Sequence, residues 1–356
     1  MLPIHADTTA TPRGPRWVRR PPGSTWGDFG PDDQLGRLNL LTPEKVLEGI
    51  AEVRDGESFC LSLPLDYPGG TALNENRFPP LLRPTLRRGN AAINYPVPDR
   101  SDVISDDLAI LHLQYSTQWD SLAHVGSRFD ADGDGVAEAV YYNGYRAGTD
   151  VTVAIGEDPS TGADDPQRGT SVAHALGVEN MAEKAVQGRA VLIDLHAHFG
   201  DERTLIGYDE LQSVLTADGV VIERGDMVCL HTGFARVVLG MAKHPSHDVL
   251  ENTGSVLNGR DPRLLQWITD SGLAALVADN YAVESFPAVP VDGIASGLPL
   301  HEHCLFKLGV NLGELWWLSP LAEHLRAQGR SRFLLTAPPL RLPGAVGSPV
   351  TPVGTT

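Results

Sequence analysis

Three apolar segments that alternate with amphipathic ones constrain the fold of this chain more than any other feature. Residues 188–196, 225–233 and 272–279 are apolar almost throughout, as in strands that are buried on both faces of a sheet. Residues 209–217 and 261–271 have the pattern of helices. This alternation predicts an α/β fold with helices on both sides of a sheet. The same patterns predict a helix over 42–53, a strand over 57–63 and a helix over 172–186.

The domain organisation predicted from the sequence is simple, because no linker divides the chain into two parts. We expect residues 26–340 to form a single α/β domain that carries the chemistry. Residues 1–25, rich in Pro and Arg, are expected to be an extended N-terminal arm, and residues 341–356 a C-terminal tail. Residues 68–100 have no regular pattern, which is typical of lids and subunit contacts. We therefore expect a homo-oligomer, either a dimer or a tetramer.

Charge and cysteine content exclude several classes of function. A formal net charge of −17 argues against nucleic acid or an anionic membrane as the main partner. No apolar run approaches the ~20 residues that cross a bilayer, and the N-terminus lacks the apolar stretch of a secretory signal. Three scattered cysteines (Cys60, Cys229 and Cys304) indicate reduced, buried thiols in a cytoplasmic protein. The expected partner is a small-molecule substrate.

One stretch concentrates chemical side chains at short, regular intervals. Gln114, Gln118, Asp120 and His124 follow residues 108–113, an apolar run that is typical of a buried strand. Intervals of two fit one face of a strand, and intervals of four fit one face of a helix. A strand that turns into a helix here would bring all four side chains together. A polar loop before a helix that carries Trp119 would explain the same pattern without any chemistry.

A second cluster lies near the C-terminus. His301 and His303 fall in a predicted helix over 299–308, and Gly309 is expected to end it. A short strand would then return Glu314 towards His301. Glu314 lies among Leu, Gly and Trp, where a buried carboxylate is unfavourable unless it has a partner or a function.

The first cluster resembles the signature of the cyclase family, which includes bacterial kynurenine formamidases and isatin hydrolases. That signature runs His-x-Gly-Thr-His-x-Asp-x-x-x-His. Thr117, Asp120 and His124 match it, whereas Gln114 and Gln118 stand where the family has two metal-binding histidines. In the family, the last histidine transfers protons and does not bind metal, which implies that role for His124.

The resemblance extends over most of residues 26–325. His301 and Glu314 match a segment whose histidine and glutamate complete the family's metal site, and His303 is the alternative to His301. A tryptophan near the N-terminus commonly lines the family's substrate pocket, which implies that role for Trp26, and Trp119 is a second candidate wall. The fold implied is a mixed, barrel-like sheet flanked by helices.

The function implied is hydrolysis of a small cyclic or formyl amide, imide or lactone by Asp120, His124, His301 and Glu314. The candidate substrate-binding residues are Trp26, Trp119, Gln114 and Gln118. One divalent metal ion (Mn, Zn or Mg) would be held by Gln114, Gln118, Asp120, His301 and Glu314, and no organic cofactor is expected.

Replacement of two imidazoles by amides leaves a metal-free site open, in which Asp120, His124 and Glu314 act as acid–base groups. Two further functions fit the same residues. One is a metal-independent lyase, isomerase or cyclase, and the other is a non-catalytic protein that binds a small molecule.

Two other patterns suggest different sites. His196 and His198 follow a predicted strand as paired metal ligands do in TIM-barrel amidohydrolases, with His231 and Asp279 at later strand ends, but the eight-fold repeat of that fold is missing. Residues 130–135 resemble half of an EF-hand calcium loop, whose twelfth position would be Tyr141 instead of Glu. We interpret residues 130–135 as an acidic hairpin turn.

Overall fold

The computed structural model describes residues 16–153 and 171–356, and its centre is a nine-stranded mixed sheet that curls as a half-barrel. In chain order the strands of the described residues are β1 (Ser58–Cys60), β2 (Leu81–Pro84), β3 (Leu86–Arg87), β4 (Asn90–Ala91), β5 (Tyr95–Pro96), β6 (Val103–Ile104), β7 (Asp107–Ile110), β8 (Gln118–Asp120), β9 (Ser127–Phe129), β10 (Glu138–Val140), β11 (Val151–Thr152), β12 (Val172–Ala173), β13 (Gln187–Asp194), β14 (Thr204–Ile206), β15 (Met227–His231), β16 (Ser255–Leu257), β17 (Ala275–Ala278), β18 (Asn311–Glu314), β19 (Arg332–Thr336), β20 (Gly347–Pro349) and β21 (Val353–Thr355). The main sheet has the order β1-β21-β19-β13-β15-β17-β18-β8-β20. Strands β13, β15, β17 and β18 are parallel, and β8 pairs antiparallel with β18.

The helices confirm the predicted alternation. They are α1 (Pro43–Ala51), α2 (Val178–Lys184), α3 (Leu195–Phe199), α4 (Tyr208–Ala217), α5 (Phe234–Gly240), α6 (His247–Glu251), α7 (Pro262–Ser271), α8 (Pro299–His301) and α9 (Ser319–Ala327), with a π-helix over Glu302–Leu308 and 3-10 turns over Gly36–Leu40 and Tyr142–Gly144. Thr42 and Asp261 accept backbone N–H groups at the starts of α1 and α7, as N-caps do. None of the helices in the described parts is long and apolar enough to cross a membrane.

The sheet is buried on both faces, as the apolar runs predict. Along β13, Val191 and Ile193 pack in one hydrophobic cluster with α7, whereas Leu192 packs in a second cluster with Leu321 and Leu325 of α9. Side chains that alternate along a strand thus enter two different cores. This double burial fixes the parallel strands, whose carboxyl ends meet along one edge of the sheet.

Two predicted elements were wrong in place or in environment. Residues 108–113 do not form a buried strand, because β7 pairs with β2 outside the main sheet and is exposed along its length. The helix predicted over 172–186 is divided into β12 and α2, with Gly177 as N-cap and a left-handed Ala185 at the end of α2. An apolar run indicates that a segment can be buried, but it does not indicate which surface will cover it.

The chain ends also differ from expectation. Residues 341–356 contain β20 and β21, two strands of the main sheet, so they are part of its core and not a tail. Within the N-terminal arm, Trp17 packs against Trp26 with ring centroids 6.2 Å apart, and residues 1–15 lie outside the described residues. Among the cysteines, Cys229 and Cys304 are buried, whereas Cys60 is exposed, contrary to the prediction of buried thiols.

A close contact between two glycines positions the end of the π-helix. Gly309 ends that helix in a left-handed conformation (φ 60°), and its carbonyl accepts the Arg37 N–H at 2.7 Å. Gly36 has a φ of +57°, and a Cβ built on it would lie 2.1 Å from the Gly309 oxygen. Only glycine fits this position, and the contact sets where β18 begins.

We predict that Gly36→Ala lowers the free energy of unfolding by about 2–5 kcal/mol, since it adds a backbone clash to an unfavourable left-handed φ. Gly56→Ala is the matched control, because Gly56 has a φ of +73° with open space around its Cα. Urea unfolding of both variants measures the difference. Equal losses in the two variants would mean that the contact with Gly309 is not tight.

Candidate functional site

Strands β8 and β18 place the central chemical residues on one surface. Gln118 pairs directly with Glu314, and Asp120 pairs with Leu312, so the side chains of Gln118, Asp120 and Glu314 share a face of the sheet. Trp119, between them in sequence, points to the opposite face, where its indole N–H donates to Ala337 O at 2.8 Å. The prediction that Trp119 lines the same pocket is therefore corrected by strand alternation.

His301 lies at the centre of a group of buried carboxylates. Its Nε2 is 3.2 Å from Glu314 Oε1 and 3.9 Å from Asp120 Oδ2, and its Nδ1 is 2.9 Å from Glu284 Oε1. One ligand atom from each of Asp120, His301 and Glu314 lies within 4.8 Å of the other two. His303 turns away, with its Nε2 2.9 Å from Thr269 Oγ1, so His301 is the histidine that faces this group.

Glu284 belongs to the site, although the sequence analysis did not identify it. Its carboxylate accepts the backbone N–H groups of Leu300 and His301 as well as facing the His301 ring. The segment that carries it follows β17, where Ala282 and Val283 have φ values of 72° and 58°. A left-handed β-branched residue is strained, and such strain clusters at functional sites. The one sequence feature that could have identified Glu284 was its position shortly after a buried parallel strand, where functional residues of α/β folds lie.

His124 reaches the group from a tight turn. No helix follows β8, because the chain turns back at once and His124 N–H donates to Ser121 O at 3.0 Å. His124 Nε2 lies 3.7 Å from Asp120 Oδ1, and its side chain is 19% exposed whereas that of Asp120 is fully buried. His124 is therefore placed between solvent and the buried carboxylates, as a group that transfers protons must be.

Gln114 and Arg77 border the site on another side. The Arg77 guanidinium donates to Gln114 O at 2.8 Å, and both residues line a small hollow of about 10 Å³ with Tyr115 and Tyr281. A Cβ on Gly347 would meet the Gln114 amide at 2.2 Å, so this glycine in β20 makes room for it. The predicted tail thus helps to shape the site.

The side-chain amide of Gln118 has one orientation that satisfies its hydrogen bonds, and in that orientation its oxygen faces Asp120. In that orientation its amide nitrogen donates to Gln114 O at 2.7 Å and to Ser116 O at 3.2 Å. The amide oxygen then occupies the position 3.4 Å from Asp120 Oδ1. Two oxygens that face each other without a donor fit either a shared cation or a proton on Asp120.

The pKa values of the two buried carboxylates, Asp120 and Glu314, shift in opposite directions. Burial raises the pKa of Asp120, and the nearby Glu314 charge raises it further. Burial would also raise the pKa of Glu314, but the hydrogen bond and charge of His301 lower it. Burial would lower the pKa of His301, yet its hydrogen bonds to Glu284 and Glu314 raise it to about 10. Without a metal ion, Glu314 is the charged carboxylate beside a protonated His301.

Asp120, His301 and Glu314 fit a divalent cation. Asp120 Oδ2 is buried and has no hydrogen-bond partner among the described residues, so it has a free lone pair directed into the group. Two carboxylates and one imidazole are suitable ligands, and the Gln118 oxygen adds a neutral one. Gln114 lies beside this set: its backbone oxygen accepts hydrogen bonds from Arg77 and Gln118, and its side-chain amide lies against Gly347.

Trp26 lies deep in the protein core. Its side chain has no exposed surface, its indole N–H donates to Phe306 O at 2.7 Å, and it packs edge-on against Phe306 and Phe129. This environment favours a core aromatic over a pocket wall. Trp26 supports the π-helix that carries Phe306, and through it the position of His301.

The histidines at the rim form a separate, structural cluster. His231 Nδ1 is 2.8 Å from Asp194 Oδ1, and its Nε2 is 3.1 Å from Ser319 Oγ. Arg326 Nε donates to Asp194 Oδ2 at 2.9 Å. His196 lies on α3 and not on the predicted strand, with its Nε2 2.9 Å from Asp201. Both His231 nitrogens are engaged and a guanidinium is adjacent, which is unfavourable for a metal site of the amidohydrolase type.

The acidic turn predicted from residues 130–135 is confirmed as the connection between β9 and β10. Asp130, Asp132 and Asp134 can approach a common point, yet Asp130 is engaged by Arg19 at 2.8 Å and by the N–H of Gly133. These contacts account for the turn without an ion.

Comparison with known proteins decides the family. The Cyclase family model matches residues 61–285. The chain belongs to the cyclase family. This cyclase-family protein is similar to a crystal structure described as a novel cyclase, with 28% identity, a TM-score of 0.69, and coverage of 95% of this chain and 100% of the other. No curated protein matches it significantly in sequence.

More distant structures share the fold of this cyclase-family protein. Isatin hydrolase A from Ralstonia solanacearum is 15% identical with a TM-score of 0.52, covering 84% of this chain and 91% of its own. An isatin hydrolase bound to the product analogue thioisatinate is 12% identical with a TM-score of 0.53, covering 88% and 98%. The barrel-like α/β fold that the resemblance implied is therefore confirmed, and the TIM-barrel alternative is wrong.

We predict that Asp194→Asn lowers the free energy of unfolding by about 2 kcal/mol at pH 7 and leaves turnover unchanged. Burial would raise the pKa of Asp194, but His231 and Arg326 lower it to about 2. A carboxyl whose pKa is lower in the folded than in the unfolded chain stabilises the fold above the unfolded pKa, and this stabilisation disappears as the pH falls towards 2. Urea unfolding at pH 7, 5 and 3 should show the difference between wild type and variant shrinking at pH 3. Asp218→Asn is the control. If the difference in free energy of unfolding between wild type and Asp194→Asn did not change with pH, the low pKa assigned to Asp194 would be contradicted.

Proposed function

We propose that this protein hydrolyses a small cyclic or formyl amide, imide or lactone at the group formed by Asp120, His124, His301 and Glu314. The observation that carries the proposal is the buried, unpartnered Asp120 Oδ2 beside a histidine that two glutamates orient. A buried oxygen without a partner is unfavourable unless a substrate, water or ion completes it. Two structural neighbours are isatin hydrolases, and isatin is a cyclic amide, which supports this class of substrate.

One divalent ion of the Mn, Zn or Mg type would be held by Asp120, His301 and Glu314, with Gln118 as the neutral fourth ligand. When bound, such an ion polarises a carbonyl oxygen and makes a water molecule more acidic. Glu284 keeps the His301 ring in place through Nδ1, so that Nε2 faces the site.

His124 is proposed as the group that moves protons. The His124 side chain is partly exposed and its Nε2 lies 3.7 Å from Asp120 Oδ1, so His124 can take a proton from an attacking water and return it to the leaving nitrogen or oxygen. Both steps need only this chain's residues and one water molecule.

Arg77 and Tyr281 are proposed to hold the carbonyl side of the substrate. Both line the hollow beside Gln114, and Asn74 donates to the Tyr281 hydroxyl at 3.2 Å. The Arg77 guanidinium donates to Gln114 O at 2.8 Å, and the Gln118 amide donates to the same oxygen, which supports a position of Arg77 beside the reacting groups. A guanidinium and a phenol can donate to a developing oxyanion.

We predict that His124→Ala lowers kcat at least ~100-fold on whichever formyl anilide, isatin or small lactone the protein hydrolyses, as loss of a general acid–base does. His244→Ala, at an exposed position, should retain wild-type turnover. Steady-state assays on purified protein measure both. If His124→Ala retains full turnover, His124 has no part in the mechanism.

A metal-independent lyase, isomerase or cyclase is the second candidate. The observation that favours it is the position of His301 Nε2, 3.2 Å from Glu314 Oε1 and 3.9 Å from Asp120 Oδ2, where a protonated imidazole can supply the positive charge between the two carboxylates. Proton transfer by His124 would then suffice without an ion.

Metal content decides between the two candidates. We expect protein purified without added metal and then dialysed against Mn to retain about one ion per chain, and Asp120→Asn to reduce that amount because Asp120 Oδ2 is the free ligand. Elemental analysis and assays with and without a chelator measure this. Activity that survives chelation would favour the metal-independent reaction and contradict the hydrolase with a bound ion.

A further inference from the structure

A second cavity adjoins the candidate site, and we refer to it as the Phe234 cavity. Its volume is about 160 Å³, and it shares two lining residues, Leu73 and Tyr281, with the small hollow that contains Arg77 and Gln114. No residue of the group formed by Asp120, His124, His301 and Glu314 lines it. The Phe234 cavity is therefore a separate space that borders the site through Tyr281.

The size and the walls of the Phe234 cavity suit one aromatic ring. A cavity of ~150 Å³ with apolar walls holds one benzene molecule, so a volume of about 160 Å³ is sufficient for a single six-membered ring. Phe234 and Leu250 are buried apolar residues of the wall, and Val256 is a third. Tyr281 and Phe286 meet edge-on in the same wall, with ring centroids 6.2 Å apart. Aromatic neighbours at such angles favour a further ring between them.

Asn280 contributes a buried acceptor to the cavity wall. Its side-chain nitrogen donates to Ser255 O at 2.8 Å and to Val283 O at 3.4 Å, which fixes the amide in one orientation. Its Oδ1 is buried and has no hydrogen-bond partner among the described residues. The Asn280 backbone is also fixed, because its carbonyl accepts the N–H of Leu315, the residue after Glu314, at 3.0 Å. A buried amide oxygen without a partner requires a donor, which a ligand with an N–H or O–H group can supply.

Arg203 contributes a cation to the same wall. It is half-buried, and its one hydrogen bond among the described residues is a long one of 3.5 Å to Phe286 O. Burial lowers the pKa of Arg203, and the charge of Glu251 opposes that effect. The Glu251 carboxylate is 3.3 Å from His247 and is largely exposed to solvent. A cation that is partly removed from water without a close carboxylate is unfavourable, and a guanidinium matches the geometry of a carboxylate.

We propose that the Phe234 cavity binds one aromatic ring that carries a hydrogen-bond donor and a carboxylate. Asn280 Oδ1 accepts from the donor, and Arg203 pairs with the carboxylate. In one respect this inference rests on the proposed function, since it takes the ring to be the part of the substrate that does not react. Tyr281 borders both spaces, so a substrate whose ring lies in the Phe234 cavity directs its amide or ester group past Tyr281 towards Asp120.

The contact with Asn280 is tested with matched small molecules. Isothermal titration calorimetry of the full-length protein compares 3- and 4-hydroxybenzoate with 3- and 4-methylbenzoate, which have the same ring and charge and nearly the same size but no donor. We expect the better hydroxybenzoate to bind about 5-fold more tightly than its methyl counterpart, as one net hydrogen bond implies. Equal or weaker binding of both hydroxybenzoates overturns the role of Asn280.

The contact with Arg203 is tested by substitution. Arg203→Gln should weaken binding of the better hydroxybenzoate at least ~10-fold, because a hydrogen bond to a charged group is lost, and Arg203→Lys should restore part of the affinity. Arg224→Gln is the matched control, since Arg224 is exposed and does not line the cavity. An Arg203→Gln variant that binds as wild type does overturns the pairing with the carboxylate.

Filling the cavity tests the location. Ala72 lines the Phe234 cavity at a partly exposed position, so Ala72→Trp should occupy the space of the ring and abolish binding of every benzoate. Ala327→Trp, at an exposed position of α9, should bind as wild type does. Circular dichroism spectra of both variants verify that they fold. Benzoates that still bind to folded Ala72→Trp occupy another place, which overturns the proposal.

The titrations need no turnover, so failure of this inference and failure of the proposed function are distinguishable. If no formyl anilide, isatin or lactone is hydrolysed, the proposed function fails, while the titrations still decide whether the Phe234 cavity binds the ring. In an active protein, Arg203→Gln should raise the KM of N-formyl-4-aminobenzoate at least ~10-fold and leave kcat and the KM of formanilide unchanged, since the lost contact does not involve the reacting atoms. The better hydroxybenzoate should inhibit competitively. Inhibition that is not competitive overturns the assignment of the cavity to the substrate's ring, and the absence of binding at millimolar concentration overturns the whole inference.

Discussion

The candidate site depends on one arrangement, in which the His301 ring is held between Glu284 on one nitrogen and Glu314 and Asp120 on the other. These groups come from separate parts of the chain. A buried charge is tolerated only when it is paired and hydrogen-bonded, so the loss of any one of them leaves the others unfavourably placed. The pairing of β8 with β18 supplies two of the carboxylates, and the strained turn after β17 supplies the third.

The surrounding architecture explains how the arrangement is maintained. Strands β13, β15, β17 and β18 are buried on both faces, which fixes the edge at which Glu314 lies. The contact of Gly36 with Gly309 and the packing of Trp26 against Phe306 position the π-helix after His301. Functional side chains thus lie at the ends of rigid elements, as in other α/β proteins whose sites form at strand ends. By contrast, β2 and β7 pair with each other outside the main sheet and are exposed along their length.

Much of this was accessible from the sequence, though unevenly. The elements from residue 188 onwards were predictable because their apolar runs and caps are strong local signals. Asp120, Glu314 and the choice of candidates His301 and His303 came from spacing and from the resemblance to the family. Glu284 was missed because its function depends on a contact with residues sixteen and seventeen positions later, which no local pattern encodes. Trp119 was misplaced because a strand and a helix send neighbouring side chains in different directions.

The sequence by itself determined the α/β class, the periodicity of its elements and the identities of the groups available for chemistry, because these depend on local propensity and burial. The tertiary structure alone decided which groups meet. It selected His301 over His303, brought Glu284 under the ring and Gly347 beside Gln114, and left residues 107–110 exposed on a separate hairpin. The physical reason is that strand register and the packing of distant segments are set by the whole core at once, and no short stretch of sequence contains that information.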